Sequence, residues 1–144
     1  MNVCDLRPDH LEDVVRIDAM HTGMANPDYW KDVFARFLAG NDDRRRVGLV
    51  AEDDGRPAGY LLGEVRAFEF GSEPCGWIFG VGVDPERLRA GVAGLLLAES
   101  RHRFREIGVT TVRTMVRRND VPVLSFFRSH GFVGGSFTQL EESL

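Results

Sequence analysis

Apolar residues recur along this chain at two spacings. Leu11, Val14 and Val15, and then Trp30, Val33, Phe34, Phe37 and Leu38, fall three or four residues apart, the period of a helix with one buried face. Pro8-Asp9 with Glu12 reads as an Asp-x-x-Glu capping pattern that opens the first helix, which should end near Met20. Asn26-Pro27 supplies an N-cap and a first-turn proline for the second, which should stop at Gly40. Elsewhere the apolar runs are short and often β-branched. Residues 1–6, Val47 to Glu52, Pro57 to Phe68, Gly76 to Val83 and Thr110 to Val116 read as strands, and Asp53-Asp54-Gly55-Arg56 is a hairpin link that pairs the second and third antiparallel. Gly80 and Gly82 suit a bulge or a close ligand approach.

Residues 88–107 return to helical spacing, with Ala93, Leu96, Leu97, Phe104 and Ile107 on one face and Glu99, Arg101, Arg103 and Arg105 mostly opposite. A strand, a crossover helix and another strand imply a parallel pair. Asp120 caps a last short helix with Pro122 in its first turn and Gly131 at its end, and Phe132 to Leu140 should form one or two final strands. The order is β, α, α, β, β, β, α, β, α, β, read as a single domain over residues 1–144 with no internal repeat.

At 144 residues the chain can bury a core of its own. Its 43% hydrophobic and 28% charged content is that of an ordinary globule, no apolar run approaches membrane-spanning length, and the amino terminus lacks a secretory pattern, so a cytoplasmic protein is expected. A net charge of −4 argues against a dedicated nucleic-acid binder. Cys4 and Cys75 are too few for a disulfide framework or a thiolate metal site, and the histidines lack ligand spacing, so no metal is expected. Lys31 is the single lysine, which leaves almost no candidate for Schiff-base chemistry or a Walker-type loop. The run Asn41-Asp42-Asp43-Arg44-Arg45-Arg46 reads as a solvated loop.

The junction from Val83 to Ala93 joins an apolar strand to a helix through a basic, glycine-bearing loop. Backbone N–H groups at a helix start favour anions, and Gly91 and Ala93 remove bulk where those groups would approach one. Arg87 or Arg89 can add charge there. Val83-Asp84-Pro85, Leu88-Arg89-Ala90-Gly91-Val92-Ala93 and Leu96-Leu97 resemble the acyl-CoA-binding segment of the GNAT N-acyltransferase superfamily, Arg/Gln-x-x-Gly-x-Gly/Ala, with Leu88 at the first position. Phe126-Phe127-Arg128-Ser129-His130-Gly131-Phe132 resembles the later Phe-Tyr-x-x-x-Gly-Phe signature, with Phe127 where that family has tyrosine. With the element order, the likeness covers nearly the whole chain.

The resemblance implies an α/β (α+β) fold: a mixed, mostly antiparallel central sheet with a central parallel β-α-β unit that binds coenzyme A, flanked by helices. It implies acetyl-CoA as co-substrate, held by Val81, Gly82, Val83, Leu88, Arg89, Ala90, Gly91, Val92, Ala93, Gly94, Asn119, Phe126 and Phe127. The backbone of Val81 would polarise the thioester carbonyl, and Glu64 and Glu73 are the candidate general bases. His21 falls in the loop between the first two helices, where the family shapes its acceptor pocket, with Tyr29 and Trp30 close by. The implied activity is direct transfer of an acetyl group to a primary amine of a small molecule or peptide within a ternary complex. Phe127, and Thr114 and Met115 where some members carry a glutamate, leave as the alternative a CoA-binding sensor or regulatory module. An interaction domain using Trp30 and Arg44 to Arg46 is a third reading. No nucleic-acid or membrane partner is expected, and a homodimer is compatible with the sequence.

Overall fold

The computed structural model describes residues 1–39 and 45–144. The expected helix stop at Gly40 and the charged run through Arg44 lie outside the described residues. Five strands, β1 (Asn2–Asp5), β2 (Arg46–Asp53), β3 (Arg56–Arg66), β4 (Cys75–Val83) and β5 (Val112–Thr114), form one sheet in the order β1-β2-β3-β4-β5. Every neighbouring pair is antiparallel except β4 and β5, which are joined by a crossover helix and run parallel. Strand alternation sorts the side chains: Val47, Leu49 and Leu61 meet helix α3 (Val92–Ile107), whereas Val50, Tyr60 and Leu62 meet α1 (Leu11–Thr22) and α2 (Pro27–Leu38). A fourth helix, α4 (Val121–Ser129), adds Phe127 to the α3 side.

The β2–β3 hairpin forms where the sequence places it. Asp54 and Gly55 both take positive φ, 52° and 75°, as a two-residue turn matched to strand twist requires. Asp120 caps α4 by accepting the Val123 N–H at 3.2 Å, again as expected.

Four local expectations differ. Asp9 does not cap α1: its carboxylate pairs with Arg7 at 3.1 Å, Pro8–His10 form a 3-10 turn, and the helix begins at Leu11 without a side-chain cap. Asn26 makes no side-chain cap on α2 and offers its carbonyl to the Trp30 N–H instead. The helix expected from residue 88 is interrupted, because Pro85–Ala90 is a 3-10 turn and Gly91 at φ 73° separates it from α3. Phe132 to Leu140 carries no strand. Gly134 and Gly135 have no side chains to pack, and Phe137 instead lies under the Arg113 guanidinium, 4.9 Å from ring centroid to cation.

Three glycines set how closely α3 approaches the sheet. A Cβ at Gly59 would stand 2.7 Å from Val92 Cγ1, one at Gly63 2.9 Å from Phe104 Cζ, and one at Gly76 2.8 Å from the Phe104 ring. Gly76→Ala should therefore cost about 1–3 kcal/mol by overpacking, and Phe104→Ala about 3–5 kcal/mol by leaving a cavity. In urea unfolding the double variant should cost less than the sum of the two, because the added methyl enters the space the ring vacates.

Candidate functional site

One edge of β4 is built to stay open. Gly76, Trp77 and Ile78 pair with Val112, Arg113 and Thr114, and there the parallel ladder ends. The Thr114 hydroxyl closes it by donating to the Ile78 carbonyl at 2.9 Å. In the next position β4 bulges: Leu62 faces Gly80 and Gly63 faces Ile78, so Phe79 is an extra residue, and its ring leans on Phe37 of α2. A bulge bends and re-aims a strand. From Phe79 to Val83, β4 keeps only β3 as a partner among the described residues.

Antiparallel pairing decides where the backbone of that stretch points. The Asp84 N–H donates to the Ala58 carbonyl at 2.8 Å, which makes Ala58 and Asp84 a hydrogen-bonded pair. Bonded and non-bonded pairs alternate, so Gly59–Val83 and Leu61–Val81 are non-bonded. The N–H and C=O groups of Val81 and Val83 therefore face away from β3, onto the open side. Gly82 faces the other layer, where the Tyr60 ring occupies the space of its absent side chain: a Cβ there would lie 2.5 Å from the ring. Of the two roles expected for Gly80 and Gly82, the bulge beside Gly80 is observed, and the group that approaches Gly82 is Tyr60.

The open edge runs into an uncapped helix start. Gly91 is the N-cap of α3 with no side-chain bond, and the first turn carries no acidic residue, so its leading N–H groups lack side-chain partners. Val92 is buried in the core and offers only its backbone, Ala93 and Gly94 are half-buried, and Leu88, Ala90 and Gly91 are exposed. Arg89 lies in the preceding 3-10 turn, and Arg87 is ion-paired with Asp53. Across from this start, Phe126 packs at a tilt against His130, whose ring approaches Gly94, while Phe127 is buried against Phe126 and Phe132. Asn119 is exposed in the turn that precedes α4.

Helix α1 clamps the end of β4 with two side chains. His21, expected in a loop, lies in the last turn of α1, and its Nε2 is 2.6 Å from the Val83 carbonyl oxygen. Arg16 donates to Asp84 at 3.2 Å, and Asp84 also accepts the Glu86 N–H at 3.0 Å, fixing the turn that leads to Gly91. Burial alone would raise the Asp84 carboxyl, but the Glu86 N–H and the Arg16 and Arg87 guanidinium groups outweigh it and hold the carboxyl below the ordinary carboxylate range. Close by, Asp18 accepts the Trp30 indole N–H at 3.0 Å and interacts with the buried Tyr60 hydroxyl, whose pKa is pushed up chiefly by burial and then by the Asp18 charge. The Arg16–Asp84 link, the Tyr60–Gly82 contact and the Asp18 cluster carried no local signal in the sequence.

The two expected bases lie elsewhere. Glu64 pairs in register with Trp77, near the opposite end of β4, and sits 3.5 Å from Arg66. At about 3.3 Å per residue that is about 13 Å along the strand from Val81. Glu73 is exposed in the loop before β4. A cavity of about 1500 Å³ beside β5 is likewise lined by Cys75, Trp77, Arg113 and the carboxyl-terminal segment, and no residue from 79 to 94 lines it. Cys4, His10 and Glu52 cluster near the first strand, but the group is already satisfied. His10 Nδ1 accepts the Arg7 N–H at 3.0 Å, its Nε2 therefore donates to Glu52 at 2.8 Å, and the Arg7 guanidinium also bonds that carboxylate.

A parallel pair joined by a crossover helix, with free backbone groups at Val81, is the arrangement that the acyl-CoA resemblance implies. The family model for the acetyltransferase (GNAT) family matches residues 11–132. The chain belongs to that family. It is an acetyltransferase with acetyl-CoA as co-substrate. A search of curated proteins finds no match. Among solved structures, an aminoglycoside 6'-N-acetyltransferase from Acinetobacter haemolyticus superposes with a TM-score of 0.80 at 20% identity, covering 100% of this chain and 99% of that one. A second aminoglycoside N-acetyltransferase, solved in complex with CoA, gives a TM-score of 0.82 at 16% identity over 99% of this chain and 93% of its own. A transcriptional regulator from Bacillus halodurans C-125 gives 0.80 at 17% identity over 99% of each chain. The mixed sheet and its flanking helices are the fold of these proteins, and no described helix of this one is long and apolar enough to cross a membrane.

Asp84 gives the acetyltransferase a pH-dependent corner. Its folded pKa lies below the unfolded value of about 3.9, so its contribution to stability is full above that value and is lost as the pH falls through the folded pKa. Asp84→Asn should lower the unfolding free energy by about 1–3 kcal/mol at neutral pH. In chemical unfolding followed against pH, the gap from the unmodified protein should close below about pH 4.

Proposed function

We propose that this chain moves an acetyl group from acetyl-CoA to a primary amine of a small molecule or peptide, by direct transfer in a ternary complex. The observation that carries the proposal is the continuity of the open β4 edge with the uncapped start of α3. On that path the N–H groups from Gly91 to Gly94 take the pyrophosphate, aided by the helix dipole. Val83, Asn119 and Phe126 line the course of the pantetheine. The Val81 N–H faces the thioester carbonyl oxygen and stabilises the charge that grows there as nitrogen attacks. Proximity of the two bound substrates supplies much of the rate.

Several structural neighbours are aminoglycoside acetyltransferases, and Asp28, exposed in the first turn of α2, gives a carboxylate that suits an acceptor bearing ammonium groups. Polyamines and aminoglycosides are therefore the first acceptors to screen. Self-pairing along β5, whose outer edge carries no strand among the described residues, is the route to a homodimer. Reduced Cys4 and Cys75 suit a cytoplasmic setting. A second reading, a CoA-binding sensor without transfer activity, is favoured by one observation: the position of the family's tyrosine holds Phe127, a ring buried among other rings with no hydroxyl to offer the thiolate.

Calorimetric titration with acetyl-CoA tests both readings. The unmodified protein should bind, Gly91→Glu should abolish binding by setting a carboxylate against the pyrophosphate, and Gly91→Ala, which adds only the strain of a positive φ, should bind more weakly. Thiol release with an amine panel then separates transferase from sensor. No binding by folded, CoA-free protein sinks both.

A further inference from the structure

Among the described residues, the end of β4 is where a titratable ring touches the open edge. Because a carbonyl oxygen can only accept, the 2.6 Å contact places the proton of neutral His21 on Nε2. Nδ1 then carries a lone pair, His21 is exposed, and among the described residues no group bonds Nδ1. The carbonyl that fixes the ring also remains bonded to it when Nδ1 is protonated.

Most other ionisable groups around this strand end are committed, and Glu86 is exposed in the turn beyond Asp84. On α1, Arg16 is bonded to Asp13 and Asp84, and Asp18 to Trp30. After β4, Asp84 is held ionised by Arg16 and the Glu86 N–H, and Arg87 pairs with Asp53. From β3, the Tyr60 phenol is buried and its pKa is raised, and Tyr29 of α2 lies against Trp30.

We infer that His21, through Nδ1, is the general base that takes a proton from the acceptor amine. This rests on the acyl-transfer reading above. An ammonium gives up two protons in becoming an amide. One passes to His21 Nδ1 and on to solvent, and the other ends on the departing sulfur as a thiol. The nitrogen–carbon bond forms as the carbon–sulfur bond breaks.

The test compares His21→Gln, whose amide N–H can still reach the Val83 carbonyl, with His21→Ala, which removes both donor and base. Nitrogen-15 spectra of the unmodified protein should show His21 as the Nε2–H tautomer. With whichever of sisomicin, spermidine and a serine-started tripeptide the unmodified protein acetylates, His21→Gln should lower kcat/KM by about 10²–10⁴-fold, flatten the acidic limb of its pH profile and bind acetyl-CoA as before. A Glu64→Gln control should keep that limb. His21→Gln with unchanged rate and pH profile, or an Nδ1–H tautomer, overturns the inference and leaves His21 a clamp, whose loss only His21→Ala would register. Failure of the unmodified protein to bind acetyl-CoA or acetylate any amine overturns the transfer reading itself, a result distinct from a variant that matches an active parent.

Discussion

Everything specific about this molecule follows from a strand that loses one of its two neighbours halfway along. Backbone N–H and C=O groups are obligatory hydrogen-bonding groups, and a sheet normally satisfies them on both sides. Here the Thr114 hydroxyl ends the parallel ladder and the Phe79 bulge turns β4 aside, so the groups of Val81 and Val83 must find partners that are not strands. His21 supplies one. A polar chain lying along the edge like a missing strand would supply the rest, the role that the proposed function gives to the amides of pantetheine.

Such an edge works only if its far end is immobile, and the structure fixes it by charge rather than by more apolar packing. Asp84 ties the turn to Arg16 on α1, and Arg87 ties the same turn to Asp53 at the β2–β3 hairpin. The turn is thereby held to both layers of the protein at once. Gly91 then reverses the backbone and starts α3 with bare N–H groups. The bare helix start that the acyl-transfer proposal uses is thus a consequence of how the corner is held.

Much of this was legible in the sequence and the rest was not for definable reasons. Asp54-Gly55 specifies its hairpin because only that turn chemistry accepts two positive φ values, and a strand, long helix and strand leave little choice but a parallel pair. The interruption at Gly91 was hidden because apolar spacing continues across it, from Leu88 through Val92 to Leu96. The absent final strand was hidden for the opposite reason: Phe132, Phe137 and Leu140 keep an apolar look while Gly134 and Gly135 weaken pairing. In the site, the glycine-bearing loop announced itself by local composition. The clamps did not, since His21 meets Val83 across 62 residues and Arg16 meets Asp84 across 68, and no local pattern encodes such distances.

Gly59, Gly63 and Gly76 present a bare strip of sheet to α3, and Val92 and Phe104 fill it to contact. The gap between layers is therefore a quantity shared by five positions, and Val92 is also the first residue of the helix whose start is uncapped. A methyl gained on the strip would lift that start away from β4, so damage in the core would be felt at the corner of the open edge. Drift is freest at Gly76, whose added methyl would meet only the Phe104 ring, whereas one at Gly63 also meets the Trp77 carbonyl oxygen at 2.9 Å and one at Gly59 the Gly82 carbonyl oxygen at 3.0 Å, which no change on the helix relieves.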